Sequence, residues 1–435
     1  MNSELTKPSN LVDLAGSLAS GEIELHPFID SLETRFHEVE PRILAFIDEP
    51  DRFKRLHRDA DRLLARFPDP SCRPPLFGVP MAVKDIFNVD GFPTRAGTTL
   101  PPEVFEGPEA PCVSRLLEGG ALILGKSVCT EFAYLAPGPT RNPHDLEHTP
   151  GGSSSGSAAA VAAGLCTLAL GSQTVGSLIR PGAYCGVAAF LPTQNRVPRT
   201  GVVPLAPEAD HIGVYGHDVE SLGLGLGTLV EDWKPGFDAG VPVLGIPHER
   251  YLRHAEDSAR AHFGMVCEFL ETEGIRIIRT DALEDFDAVF ERHMDLCAVG
   301  AAAVHAEWRT RWKKKYDPRT LKLIDRAKGV DDRRHQEVLD SCDALRRDLE
   351  TSMDREGIDL WLAPATTGPA PLGLGSTGNG IMNAPWTHAH LPTLGLPAGR
   401  TADGLPMGVQ LIGRAGGDEA VLVRGGHLEP LLARP

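Results

Sequence analysis

Three stretches of this 435-residue chain carry residues that could break a bond together. The first is Thr149-Pro150-Gly151-Gly152-Ser153-Ser154-Ser155-Gly156-Ser157, which continues into Ala158-Ala159-Ala160-Val161-Ala162-Ala163-Gly164. A Gly/Ser loop opening a small-residue helix lets backbone approach something closely and packs the helix tightly. A flexible linker would not usually continue into such a helix. A Walker phosphate loop needs Lys then Ser/Thr after its last Gly, and here Gly156 precedes Ser157-Ala158. Residues 152–156 do match GxSxG with Ser154 at the centre, but that elbow follows a strand, and 141–145 reads as loop.

The second stretch is Gly171-Ser172-Gln173-Thr174-Val175-Gly176-Ser177-Leu178-Ile179-Arg180-Pro181, which leaves the apolar run 166–170 and opens a helix. Successive backbone N–H groups at a strand-to-helix turn form an anion hole. A serine ending that turn is placed to attack a carbonyl held there; taken alone, it reads more simply as a helix N-cap. The third stretch is the buried run 81–83, which ends at Lys84-Asp85. A lysine can act as a base only when uncharged, and burial favours that form. Without the two serine stretches, Lys84 would read as a solvated strand-end charge.

The elements that must position these groups follow from pattern. Residues 10–67 read as helices, with Val12, Leu14 and Leu18, then Phe28, Leu32 and Phe36, near helical spacing. A Pro-rich break at 68–75 follows. Apolar runs at 81–83, 121–124 and 166–170, with a helix near 112–117, then predict a mixed, mostly buried sheet with helices on both faces. The charged block 250–356 reads as helical, an insertion or cap beside the core. In it Val338, Cys342, Leu345, Leu349 and Met353 share one face, which is core packing. Strand returns at 358–362. The chain is expected to form one domain: helices 1–67, core 75–230, variable block 250–356 and the rest of the core 357–435.

Composition excludes several classes. Hydrophobic residues make up 42% and charged residues 23%, as in globular proteins. The formal charge of −16 argues against general nucleic-acid or anionic-membrane binding. No apolar run approaches a membrane span, and the polar N-terminus has no signal-peptide core. Eight scattered cysteines with no CxxC pair suggest reduced thiols, so a cytoplasmic location is expected. Gly223–Gly227 lacks the GxGxxG spacing, and His388-Ala389-His390 and His305-Ala306-Glu307 lack a third ligand, so neither a cofactor nor a metal is expected.

Together the two serine segments resemble the amidase signature family: a Gly-Gly-Ser-Ser-Ser-Gly-Ser loop, an Ala-rich helix, a strand, and Gly-Ser before Ile-Arg-Pro. Residues 78–85 resemble the family's lysine strand and 404–413 its C-terminal strand motif. The resemblance covers about 75–230 and 357 to the end. It implies an α/β/α sandwich around a large mixed sheet with a helical insertion. It also implies a triad in which Ser177 is the nucleophile, Ser153, on a cis peptide, the relay and Lys84 the base. The oxyanion hole would be the N–H groups of Thr174, Val175, Gly176 and Ser177. The loop form Gln-Thr-x-Gly-Ser-x-Ile-Arg-Pro is similar to that of malonamidase-type members, where the arginine binds a substrate carboxylate. Arg180 and Ser154 are therefore the expected substrate-side residues, with a structural salt bridge as the alternative for Arg180; Ser154 and Ser155 also serve loop geometry. Val175 departs from the family's usual Gly or Ala, and its bulk would narrow the acyl pocket or alter activity. The expected function is hydrolysis of a small amide. The alternatives are the ammonia-releasing subunit of an amidotransferase and a catalytically silent scaffold. Amidases of this kind are often homodimers. The 373–380 segment is expected to be a mobile loop near the substrate.

Overall fold

The computed structural model describes residues 5–6, 10–234, 236 and 240–434. Its strands are β1 (Pro80–Lys84), β2 (Leu122–Ser127), β3 (Leu168–Gln173), β4 (Ala188–Leu191), β5 (His211–Gly216), β6 (Leu244–Ile246), β7 (Ile277–Arg279), β8 (Leu360–Pro364), β9 (Thr393–Arg400) and β10 (Pro406–Ile412). They form one sheet in the order β2-β1-β3-β5-β4-β9-β10-β8-β6-β7. The pairs at its two ends, β1 with β2 and β3, and β6 with β7 and β8, are parallel. The pairs between them are antiparallel. This is the expected mixed sheet with helices on both faces.

Alternation along the strands sorts side chains onto two faces. Met81, Val83, Leu168 and Leu170 join one core cluster, and Ala82 and Ala169 join the other. The alanines on that second face let the helix Ser155–Ala162 lie close to the sheet, with all its residues buried. Gly156, in its first turn, is pressed against the Ala45 carbonyl and the Val128 backbone, where a Cβ would collide. A Glu131 carboxylate accepts from Asp317 N and Thr320 Oγ1, tying the charged block to the core.

Four expectations need correction. β3 runs on to Gln173, because Gly171, Ser172 and Gln173 pair with Gly213, Ile212 and His211 of β5. Their small, polar character reads as a turn only when that distant partner is unseen. The 250–356 block is not all helix: β7 inside it pairs with β6 at the sheet edge. In the first helix the buried face is Leu11, Ala15 and Leu18, and in the second Phe28 is only half-buried beside Leu32 and Phe36. Gly223–Gly227 falls within the helix Val219–Leu229, directly after β5. The stripe of Val338, Cys342, Leu345, Leu349 and Met353 is buried as expected. Among the described residues, no helix is long and apolar enough to cross a membrane.

Candidate active site

β1 ends at Lys84, whose side chain has no exposed surface. Nζ donates to Ser153 Oγ at 2.7 Å and to Ser172 Oγ at 2.7 Å. Burial draws the amine from 10.5 down to about 7, against the opposing pull of Cys129 and Asp210. Its neighbour across the strand pair makes a useful contrast. Lys126, almost as deeply buried, sits 2.9 Å from the Asp85 carboxylate, whereas Lys84 has hydroxyls and no ion pair among the described residues. Uncharged, the amine keeps two hydrogens and gains a lone pair, so it can hold Ser172 while accepting a proton from Ser153.

The Gly152–Ser153 peptide is cis. The Ser153 carbonyl accepts from Thr130 N at 3.2 Å, and Ser154 N donates to the Ser177 carbonyl at 3.3 Å, which joins the two serine segments. Ser153 and Ser154 are fully buried while Ser177 retains 7% exposure, so Ser177 is the outermost of the three. Ser154 Oγ donates to the Ser172 carbonyl at 3.2 Å and accepts from Ser172 N at 3.3 Å, fastening the loop to β3. The hydroxyl expected to face substrate is thus engaged with main chain.

The turn after β3 is held from several sides. Gln173 Oε1 accepts from Leu178 N and Ile179 N at 3.0 and 3.1 Å, capping the helix Ile179–Cys185. The N–H groups of Thr174, Val175, Gly176 and Ser177 find no acceptor among the described residues, as an anion hole requires. Gly176 is pressed against Asn383 Oδ1 and the Gly380 backbone, leaving no room for a Cβ. Val175 is half-buried against the core and lies outside the left-handed region, so its branched side chain is accommodated.

Arg180 is 3% exposed and makes no ion pair among the described residues, so the salt-bridge alternative finds no partner. Nη2 donates to the Gly152 carbonyl and, at 3.4 Å, to Thr377 Oγ1, while Nε has no acceptor. Burial lowers its pKa. Thr377 is itself buried, so the 373–380 segment packs onto this site. His388 and His305 are also buried and lie in different contacts, the first beside His293 and the second stacked edge-on to Phe132.

Sequence reading missed Ser172, the second partner of Lys84, and Asp210, whose Oδ1 accepts from Thr174 Oγ1 at 2.6 Å. Both line a cavity of about 260 Å³ behind the turn, with Thr174, Leu205 and His211. No local pattern marks them, because β3–β5 pairing brings them there.

Fold and site together define an enzyme built to act on amide C–N bonds. The chain belongs to the amidase family: the family model described as Amidase matches residues 32–422. It is 30% identical over 472 residues, 96% of each chain, to a glutamyl-tRNA(Gln) amidotransferase subunit from Halorhodospira halophila. A crystal structure of an amidase superposes with a TM-score of 0.87 at 29% identity, covering 97% of this chain and 99% of that one. A chain solved in work on the origins of an s-triazine catabolic enzyme gives a TM-score of 0.84 at 27% identity, covering 97% and 98%. The finer likeness to malonamidase-type members is not carried by these relatives.

Proposed function

We propose that this chain hydrolyses the C–N bond of a small amide through an acyl-enzyme on Ser177. The observation that carries the reading is Lys84, an amine without exposed surface, 2.7 Å from Ser153 Oγ and drawn down to about 7. A serine hydroxyl needs such a base to become a nucleophile. Neutral Lys84 takes the Ser153 proton as Ser153 takes that of Ser177, and Ser177 attacks the amide carbon. The N–H groups of Thr174, Val175, Gly176 and Ser177 stabilise the oxyanion. Ser153 then protonates the leaving amine, and water, activated by the same pair, releases the acyl group.

Arg180 supports a carboxylate on the substrate. A buried guanidinium without a carboxylate partner suits planar, two-point contact with one, and the malonamidase-like form of the loop points the same way. A second reading is favoured by the curated relatives, which carry the name of an amidotransferase subunit. There the same chemistry would release ammonia for a partner subunit. Eight free cysteines, seven of them buried, support a reducing, cytoplasmic setting, and a homodimer is the assembly we assign to the stand-alone enzyme.

Fluorophosphonate labelling of the purified chain should map to Ser177 and vanish in Ser177→Ala, with the melting curve unchanged. Ammonia release by the chain alone from small acidic amides would support the first reading. Release only with an added partner would support the second. An unlabelled Ser177 would refute both and favour a silent scaffold.

A further inference from the structure

We infer that His293 and Thr387, from two distant elements, are positioning residues that aim the N–H groups of the oxyanion turn. The inference rests on the hydrolase reading above. It starts from the three carbonyls of that turn. His293, fully buried on the helix Phe286–Val304, has Nε2 2.9 Å from the Thr174 carbonyl. Thr387, fully buried on the helix Ala384–His388, has Oγ1 3.0 Å from the Val175 carbonyl. Arg180 N donates to the Gly176 carbonyl at 3.2 Å.

In a trans peptide the C=O and the following N–H point in opposite directions. Holding the Thr174 carbonyl therefore turns the Val175 N–H away from His293. Holding the Val175 carbonyl turns the Gly176 N–H away from Thr387. Those N–H groups are the ones left without an acceptor among the described residues. Each carbonyl is anchored so that its peptide cannot flip, and the donors are aimed before a substrate arrives. An oxyanion hole depends on that preorganisation.

The donor assignment follows from chemistry. A carbonyl only accepts, so His293 Nε2 carries the hydrogen. Burial draws His293 down to about 4, so it donates as a neutral ring. Its Nδ1 then accepts from His388 Nδ1 at 3.4 Å, and His388 Nε2 lies 2.8 Å from Ser341 Oγ. The Cys297 thiol, 3.7 Å from Nε2, is a weaker contact than the carbonyl. Thr387 is oriented in turn by Gln173 Nε2, which donates to its hydroxyl at 3.0 Å. The charged block thus reaches the reaction centre through one imidazole.

The test uses the rate of fluorophosphonate labelling at Ser177, which needs the hole but no identified substrate. His293→Phe and Thr387→Val should each lower the maximal labelling rate about 10–100-fold with reagent affinity unchanged. His293→Gln and Thr387→Ser, which keep a donor, should restore most of it. The pH profile of labelling should keep its shape, since a neutral donor carries no proton away. If His293→Phe does not fold, Thr387→Val decides. Wild-type rates in the folded variants, no rescue by the donor-keeping pair, or a displaced pH profile would overturn the positioning role. A wild-type chain that is not labelled would instead refute the hydrolase reading, and the oxyanion hole with it.

Discussion

Replacing Lys84 with methionine tests the central claim, because it separates the charge of the amine from its bulk. In the unfolded chain the amine has its ordinary value of 10.5, and in the fold burial holds it near 7. Between those values the unfolded chain binds more protons than the folded one, so stability rises with pH across that window. The penalty is complete below the folded value and gone above the unfolded one. From about pH 6 to about pH 9, Lys84 alone should add about 2–3 kcal/mol to the unfolding free energy. Lys84→Met keeps a similar stem and removes the titrating group. It leaves the Ser153 and Ser172 hydroxyls without their partner at both pH values, so that cost cancels in the comparison. Urea unfolding of both proteins at the two pH values measures the difference directly. The wild type should gain about 2–3 kcal/mol more than the variant between them, while labelling of Ser177 in the variant falls by orders of magnitude. Parallel pH dependence in the two proteins would mean that Lys84 stays charged in the fold, and the base assignment would fail.

Arg180→Ala should reduce kcat/KM for carboxylate-bearing amides about 10–100-fold more than for neutral ones, the worth of a charge-assisted contact; equal losses would remove the carboxylate from the substrate. Asp210→Asn addresses the electrostatics of the base. Burial is the larger influence on Lys84 and lowers it, while the Asp210 charge raises it. Removing that charge should move the acid limb of the activity profile to lower pH, and an unmoved limb with lower activity would leave Asp210 a purely structural role.

Much of the site could be read from contiguous residues. The two serine loops, the Ala-rich helix and the lysine at a strand end each express their chemistry within a dozen positions, where spacing and side-chain size are visible. The buried face of the helix Asp332–Glu356 was legible for the same reason. The end of β3 was not. Gly171, Ser172 and Gln173 have turn-like composition and become strand only through β5.

What the sequence determined by itself was the local machinery: which residue could attack, which could relay a proton, and which backbone turn could hold an oxyanion. Tertiary structure decided the rest. It put Ser172 against Lys84, Asp210 against Thr174, and His293 and Thr387 behind the turn. Those contacts join segments tens to hundreds of positions apart. Their geometry comes from strand pairing and helix packing, which no local pattern encodes.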